Sequence, residues 1–379
     1  QYKMAALTLI QVRLALLVLA YRMRFIKTEN WVIKGLPMLL SLLSTRGLCV
    51  LLLSIMSPPA YLLAQEASTN VNVLNYVHAK TALHFDRVAK RSGGVNKWSH
   101  VRVPIPLDQQ RSRRMNRDTL YSSSIINISQ GATLTMPDSG QRYMSAAVIN
   151  EDHYINKIFH GAGKHTLNLD EFDSPFVLLI VRILVNADDA QDIEVANQLQ
   201  DSLVIQSASS AAYSQPNYDR ASLDAVTKPL IELAASLPDV IHTFGTEKQV
   251  NKVRHLLATA YGFGGLPESE TFYLNVQPKL PVGAYSLTVK DVPVDGFWSI
   301  SVYNQDGFFE ANKYDVYSIN NLSAKASADG SYTINFGGNP LYDNFIPIAE
   351  GWNYVVRMYR PRESIVNGTW TFPEIPTSK

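Results

Sequence analysis

The stretch MNRDTLYSSSIINISQG, residues 115–131, decides how this chain is read. Thr119, Leu120, Tyr121, three serines, Ile125, Ile126 and Ile128 make a run rich in β-branched and aromatic residues, so a strand is expected over residues 120–128. Alternation places Thr119, Tyr121 and Ser123 on one face and Leu120, Ser122 and Ser124 on the other. Directly before the strand stand an amide, a guanidinium and a carboxylate: Asn116, Arg117 and Asp118. Two readings are open. In one, Asn116 and Asp118 accept backbone donors in Asx-type turns. In the other, Asp118 is a general base or ligand acceptor at a pocket rim, with Asn116 and Tyr121 as ligand contacts. Arg142 is then an anion clamp brought alongside by the next hairpin, with Tyr143 beside it. A structural Arg142–Asp118 salt bridge explains the same residues.

Outward from this strand the pattern stays β. Residues 132–136, 143–150 and 176–185 are further strand candidates, with the turn signal Pro137-Asp138-Ser139-Gly140 among them. Upstream, residues 71–90 carry helical spacing at Leu74, Val77, Thr81, Phe85 and Val88, stopped by Ser92-Gly93-Gly94. A helical block follows the first β region: residues 190–203, 222–237 with Pro229 inside, and 247–261 before Gly262. Residues 207–219 read as a loop. Strands return at 272–276, 284–289, 297–303, 331–336, 353–359 and 368–372, with Asp306-Gly307 and Asp329-Gly330 as turns. The fold class is therefore mainly β, α+β overall: two jelly-roll or sandwich-like β domains joined by a helical block. The expected boundaries are 71–205, 206–267 and 268–376.

The first 64 residues differ from the rest. They hold seven Lys/Arg against the single acid Glu29; taking these from 34 basic and 33 acidic residues leaves 27 and 32, a net −5. A mildly acidic body argues against a nucleic-acid partner. MLLSLLSTRGLCVLLLSIMSPPAYLLAQ, from Met38, has the layout of a secretory signal peptide, with cleavage expected near Ala64. Residues 1–37 read as an over-extended translation start, with a membrane anchor as the alternative. Export to the periplasm or beyond follows. The single cysteine, Cys49, lies in that leader, so the mature chain is expected to carry no disulfide or thiolate site.

Longer motifs carry a resemblance. NRDTLYSS (116–123), PDSGQRYMS (137–145) and INEDHY (149–154) resemble the bacterial domain of unknown function 1254. FWSISVYNQDGFF (297–309), DGSYTINFGG (329–338), the Pro347 region, WNYVVRMYRP (352–361) and NGTWTFP (367–373) resemble its companion, domain 1214. The likeness spans about 71–376. It implies an exported, β-rich, two-domain, oligomeric protein with no agreed activity; an envelope-associated homo-oligomer is the expectation built on it. Asn344-Phe345-Ile346-Pro347 departs from the Asn-Trp-Leu-Pro more usual there, which puts in doubt any tryptophan stacking at that place.

Known catalytic signatures are missing: no Gly-x-Ser-x-Gly, Ser-x-x-Lys, His-Glu-x-x-His or Gly-x-Gly-x-x-Gly. His153, His160 and His165 stand near Glu151 and Asp152, but their spacing suits neither a strand pair nor a helical pair of ligands, and loop histidines are the plainer reading. No metal or cofactor is expected. His84 lies in a helical pattern and is read as packed or capping. The aromatics of the second β domain are read as core or subunit interface, or as a stacking surface for sugars. Trp298, Ile300 and Val302 are expected buried, with Phe297, Ser299, Ser301 and Tyr303 half exposed. Arg357 is expected to face solvent, a partner or an interdomain carboxylate. The functional expectation is a small polar ligand bound by Asn116, Asp118, Tyr121, Tyr143, Arg142, Asp152 and His153 in a cleft of the first β domain. The alternative is a hydrolase or lyase with Asp118 or His153 as base and Arg142 steadying an anion.

Overall fold

The computed structural model describes residues 68–376 apart from Arg111. The expected leader, its expected cleavage point near Ala64 and Cys49 lie outside the described residues.

The first β domain is a sandwich. Its larger sheet runs β1 (Ser99–His100), β2 (Thr119–Asn127), β7 (Phe176–Leu184), β4 (Met144–Ile149), β5 (Ile155–His160), every neighbour antiparallel. Its smaller sheet is β6 (Gly163–Leu167), β3 (Ala132–Met136), β8 (Val204–Ser207). The pleat sends Leu120, Ile126, Val177, Leu179, Val181 and Ile183 inward, where they meet Leu134 and Met136 of the facing sheet. Each such side chain contributes about 1.5–3 kcal/mol by leaving water. The other face of the larger sheet is also covered. There Ile125, Leu178 and Leu184 pack against Phe85, Val88, Phe244 and Leu266. Strand β7, FVLLIVRIL, is thus buried on both sides, which is why it reads as an almost unbroken apolar run. Arg182 is the interruption.

Within residues 155–167 lie two successive strands, β5 and β6, one at the edge of each sheet, where histidine-bearing loops were expected. Lys157 and Lys164 point to water, so the exposed half of each strand masked the alternation.

Helix α1 (Tyr76–Ser92) starts later than its spacing suggested: Leu74 is outside it and 91% exposed. Gly93 ends it in the left-handed region at φ 75°. Two short elements follow, α2 (Leu169–Phe172) and α3 (Ala190–Asp201). Helix α4 (Arg220–Ala234) runs through Pro229, and α5 (Lys252–Tyr261) begins where Asn251 caps it through Val253 and Arg254 N–H. Tyr76 and Ala79 of α1 pack on Leu223 and Leu230 of α4 and Leu257 and Ala260 of α5. Helix α1 therefore belongs with the helical block, although its sequence position attaches it to the first β domain.

The second β domain is also a sandwich. One sheet is β12 (Ser318–Asn320), β11 (Trp298–Tyr303), β15 (Asn353–Tyr359), β9 (Thr271–Val276); the other is β10 (Tyr285–Val289), β13 (Tyr332–Phe336), β14 (Phe345–Ile346). Only β13–β14 is parallel. Leu287, Val289, Ile334 and Phe336 face Trp298, Ile300, Tyr354, Val356 and Met358. The strand expected at 368–372 is absent. Helix α6 (Glu363–Val366) leads into a coil that lays Phe372 into this core, with Trp370 packed alongside. Phe345 stands edge-on to Tyr314 at 5.2 Å, an aromatic contact at the position where tryptophan stacking was in doubt.

Phe297, Ser299, Ser301 and Tyr303 are all buried rather than half exposed. The first β domain covers them: Phe297 packs on Tyr143, and Tyr303 donates to the Met115 carbonyl at 2.7 Å. Gln110 reinforces the seam, exchanging hydrogen bonds with both backbone groups of Phe309 at 2.7 and 2.9 Å.

Candidate functional site

The residues before β2 answer to both sandwiches. The Asn116 side chain accepts from Asp118 N–H at 2.8 Å, a two-residue Asx turn. Arg117 donates to the Ile105 carbonyl at 2.5 Å and lies 5.1 Å over the Tyr317 ring. The Asp118 carboxylate is wholly buried at the domain seam. It accepts from Ser299 Oγ at 2.7 Å and from Asn320 Nδ2 at 3.3 Å. Burial raises its pKa above the ordinary carboxylate range, while Arg357 and these donors pull it back. Arg357 faces this interdomain carboxylate electrostatically. Its own hydrogen bonds go to Ser301, Tyr303 and the Arg114 carbonyl at 2.8–2.9 Å.

The other expected site residues disperse. Arg142 is not beside Asp118. It forms a two-point ion pair with Asp192 and donates to the Leu184 carbonyl at 2.6 Å. Burial works to raise the Asp192 pKa, but the Arg142 bond and Asn186 N–H hold it below the ordinary value. Tyr143 is buried, its hydroxyl donating to Ser145 Oγ at 2.9 Å and its ring against Phe297 and Tyr359. His153 lies inside the helical block. Thr259 gives its proton to the His255 carbonyl, so His153 Nδ1 must donate to Thr259 Oγ1 at 2.8 Å, and Nε2 accepts from Gly264 N–H at 3.0 Å. That fixes a neutral tautomer with both nitrogens engaged, and burial keeps its pKa well below 6.5. His160 pairs with Glu270 at 2.8 Å, and His165 stacks on Phe159. The three histidines do not converge, and among the described residues no group of three His, Cys, Asp or Glu is placed to hold a metal.

Asp152 is at the surface, 2.8 Å from His78. Their hydrogen bond raises the His78 pKa and lowers that of Asp152. The raised histidine contributes stability in full below pH 6.5, lost as pH climbs through its folded value. The lowered aspartate contributes above 3.8, lost as pH falls through its own. The pair stabilises most between those two values, by about 0.5 kcal/mol at this exposure. Asp152→Asn is expected to flatten the difference in urea midpoint between pH 5.5 and pH 8; an unchanged difference refutes the assignment.

What the fold does assemble is a cavity of about 710 Å³ where the two sandwiches meet the helical block. Asn116 and Tyr121 line it; Asp118, Arg142, Tyr143, Asp152 and His153 do not. Among the described residues six cations line it as well, Lys80, Arg87, Arg113, Arg114, Arg182 and Arg357, and no carboxylate does. They are graded by depth: Arg87 and Arg113 are exposed, Lys80 and Arg114 half-buried, Arg182 and Arg357 buried. Burial and its cationic neighbours Arg87 and Arg220 push the Lys80 pKa down. His84 is held to about 3 by burial and by Lys80, Arg87 and Arg91, so it is neutral. It stacks on Phe263 at 3.8 Å, and His153 stacks on the same ring at 4.2 Å. The tyrosines Tyr121, Tyr261, Tyr273 and Tyr359 complete much of the wall.

Gly264 sits at the centre of the loop that closes this cavity. Its φ is +76°, and a Cβ there would lie 2.8 Å from Ile180 Cδ1, so only glycine lets the backbone approach β7 so closely. That approach lets its carbonyl accept from Arg182 at 2.6 Å.

Family comparison follows this geometry. Residues 95–170 match the family described as Protein of unknown function (DUF1254), and residues 277–363 match Protein of unknown function (DUF1214). The chain carries both regions, in that order. Between the two matches lie most of the helices, including α4, α5 and the Gly264 loop. The chain is similar to the VPA0106 protein from Vibrio parahaemolyticus, at 18% identity and TM-score 0.61 over 81% of this chain and 98% of that one. A second structure, of an uncharacterized protein from Burkholderia cenocepacia, aligns at 15% identity and TM-score 0.43, over 76% of this chain and 85% of that one. No curated protein matches. The cavity is thus walled by the end of the DUF1254 β2 strand, by β9 and β15 of the second sandwich, and by helices outside both matches.

Arg182 is the residue that sequence reasoning passed over. Its signal was present: one guanidinium inside FVLLIVRIL, in a strand otherwise buried on both faces.

Proposed function

We propose that this protein binds a small organic anion in the interdomain cavity, and that binding rather than catalysis is its activity. The carrying observation is the lining: six cations and no carboxylate around about 710 Å³, a size in the usual range for ligand pockets. The depth gradient supports the same reading, since exposed Arg87 and Arg113 draw an anion to the mouth and buried Arg182 faces it at the floor. The one imidazole on the wall, His84, is neutral and pressed against Phe263, which favours a packing role. An exported, envelope-associated location and a homo-oligomeric state belong to the same proposal, supported by the leader pattern of residues 38–65 and by the family resemblance.

Thermal-shift and calorimetric screening of benzoate, citrate, inorganic phosphate and glucose tests it. At least one anion is expected to bind and glucose is not. Raising salt from 50 to 500 mM is expected to weaken anion binding roughly tenfold, because the mouth charges are screened. The double variant Arg87→Glu/Arg113→Glu is expected to act in the same direction. Binding of glucose as tight as that of any anion, or no dependence on salt, would defeat the reading.

A further inference from the structure

The floor of the cavity is more specific than its overall charge. Arg182 stands midway along β7, opposite Tyr121 of β2 and Ser145 of β4. It is 6% exposed. Nη2 donates to the Gly264 carbonyl at 2.6 Å, and the guanidinium lies 5.6 Å over the Tyr121 ring. Nη1 is buried and has no hydrogen-bond partner among the described residues. Among the described residues no carboxylate lines the cavity beside Arg182 either. A buried guanidinium left with an open nitrogen and no counterion is costly, and natural proteins keep such a group where something fills the gap.

The surroundings define what fits. Arg357 shares the floor, but Asp118 balances its charge and its own hydrogen bonds are already made within the protein. Of the two buried guanidiniums on this floor, Arg182 is therefore the one whose charge is left unbalanced. Beside it, Asn116 Nδ2 donates to Tyr359 OH at 2.9 Å, while its second proton is shared between Thr119 Oγ1 at 3.3 Å and Tyr121 OH at 3.4 Å. The Tyr359 oxygen is thus an acceptor toward Asn116, and neither phenol has to spend its own proton on that amide. One charge, one unpaired guanidinium nitrogen and the nearby phenol hydroxyls match the two oxygens of a carboxylate. A phosphate dianion brings a second charge and further acceptor oxygens that this floor does not serve. The lining also has an apolar part, Phe244, Phe263, Leu266 and Val355, with Phe263 stacked between His84 and His153.

Resting on the reading of the cavity as an anion site, we infer that the ligand is a monocarboxylic acid with an apolar body, its carboxylate seated on Arg182 and the hydroxyls of Tyr121 and Tyr359. The apolar part lies against Phe263 and Phe244. Arg182 is the anchoring residue and Gly264 the positioning one.

The test is calorimetric titration of the purified full chain with 3-phenylpropionate, 3-phenylpropanol and inorganic phosphate. Phenylpropionate is expected to bind, and the alcohol, which has the same body without the charge, at least about 30-fold more weakly. Arg182→Gln is expected to lose at least about 30-fold in phenylpropionate affinity while melting at a higher temperature than the parent without ligand, because the unpaired charge is gone. Tyr121→Phe is expected to bind several-fold more weakly with its fold intact. Arg182→Lys, which keeps a charge but cannot hold Gly264 and a carboxylate together, is the second variant and is expected to lose at least about tenfold. Phosphate binding without phenylpropionate binding overturns this inference and leaves the anion cavity standing. Binding of phenylpropionate by the Gln or Lys variant within twofold of the parent also overturns it. Absence of binding by every anion here and in the wider screen brings down both.

Discussion

Asp118→Ala is expected to lower the unfolding free energy by about 3–5 kcal/mol, the usual cost of removing one member of a buried charged network. The carboxylate is fully buried and ties the sandwiches through Ser299 and Asn320. Its removal leaves the Ser299 hydroxyl without its acceptor, takes one acceptor from the Asn320 amide, and leaves the buried Arg357 charge unopposed. Asn320 also donates to the Val185 carbonyl at 3.1 Å, so the loss spreads along the seam to the end of β7. Asp118→Asn keeps an acceptor but presents an amide to two donors, and an intermediate cost of about 1–2 kcal/mol is expected. Urea unfolding followed by tryptophan fluorescence measures both. An Ala variant within 1 kcal/mol of the parent would show that the carboxylate is incidental to the seam.

Phe297→Ala is expected to cost about 3–5 kcal/mol, as for an aromatic removed from a packed core. Phe297 is wholly buried, stacked on Tyr359 at 4.1 Å and edge-on to Tyr143 at 5.2 Å. Truncation leaves a cavity between the sandwiches that neither can fill alone, since its walls come from different strands of different domains. The effect also reaches the site. Tyr359 holds Asn116 at 2.9 Å, and releasing its ring loosens the floor on which Arg182 sits. Anion affinity is therefore expected to fall in a variant still folded at low temperature. Denaturant midpoints and titration on the same sample separate the two effects; a loss below about 1.5 kcal/mol contradicts the packing argument.

Much of the fold was legible because it depends on local periodicity. The alternation of β2 put Leu120 and Tyr121 on opposite faces; in the structure Leu120 joins the core and Tyr121 lines the cavity. Gly93 marks a helix end through interactions spanning a few residues, whereas the helix expected from residue 247 starts only at Lys252, where the Asn251 side chain caps it. The misreadings share one cause. Strands β5 and β6 expose one face and carry lysines and histidines, so their pattern resembles a loop. Residues 368–372 have strand chemistry, but their aromatic side chains are spent filling the second core from a coil.

The amino-acid order alone determined the two β regions, the helices between them and the domain models that each β region matches, because side-chain period and motif spacing are properties of neighbours in the chain. Only the tertiary structure decided what the polar residues do. Asp118 meets a serine 181 positions away, Arg142 turns to Asp192, and Arg182 joins Gly264, 82 positions away, beside residues from the second sandwich. Those partnerships arise where three packed layers converge, and charge in a low-dielectric seam is governed by distance in space, which sequence separation does not encode.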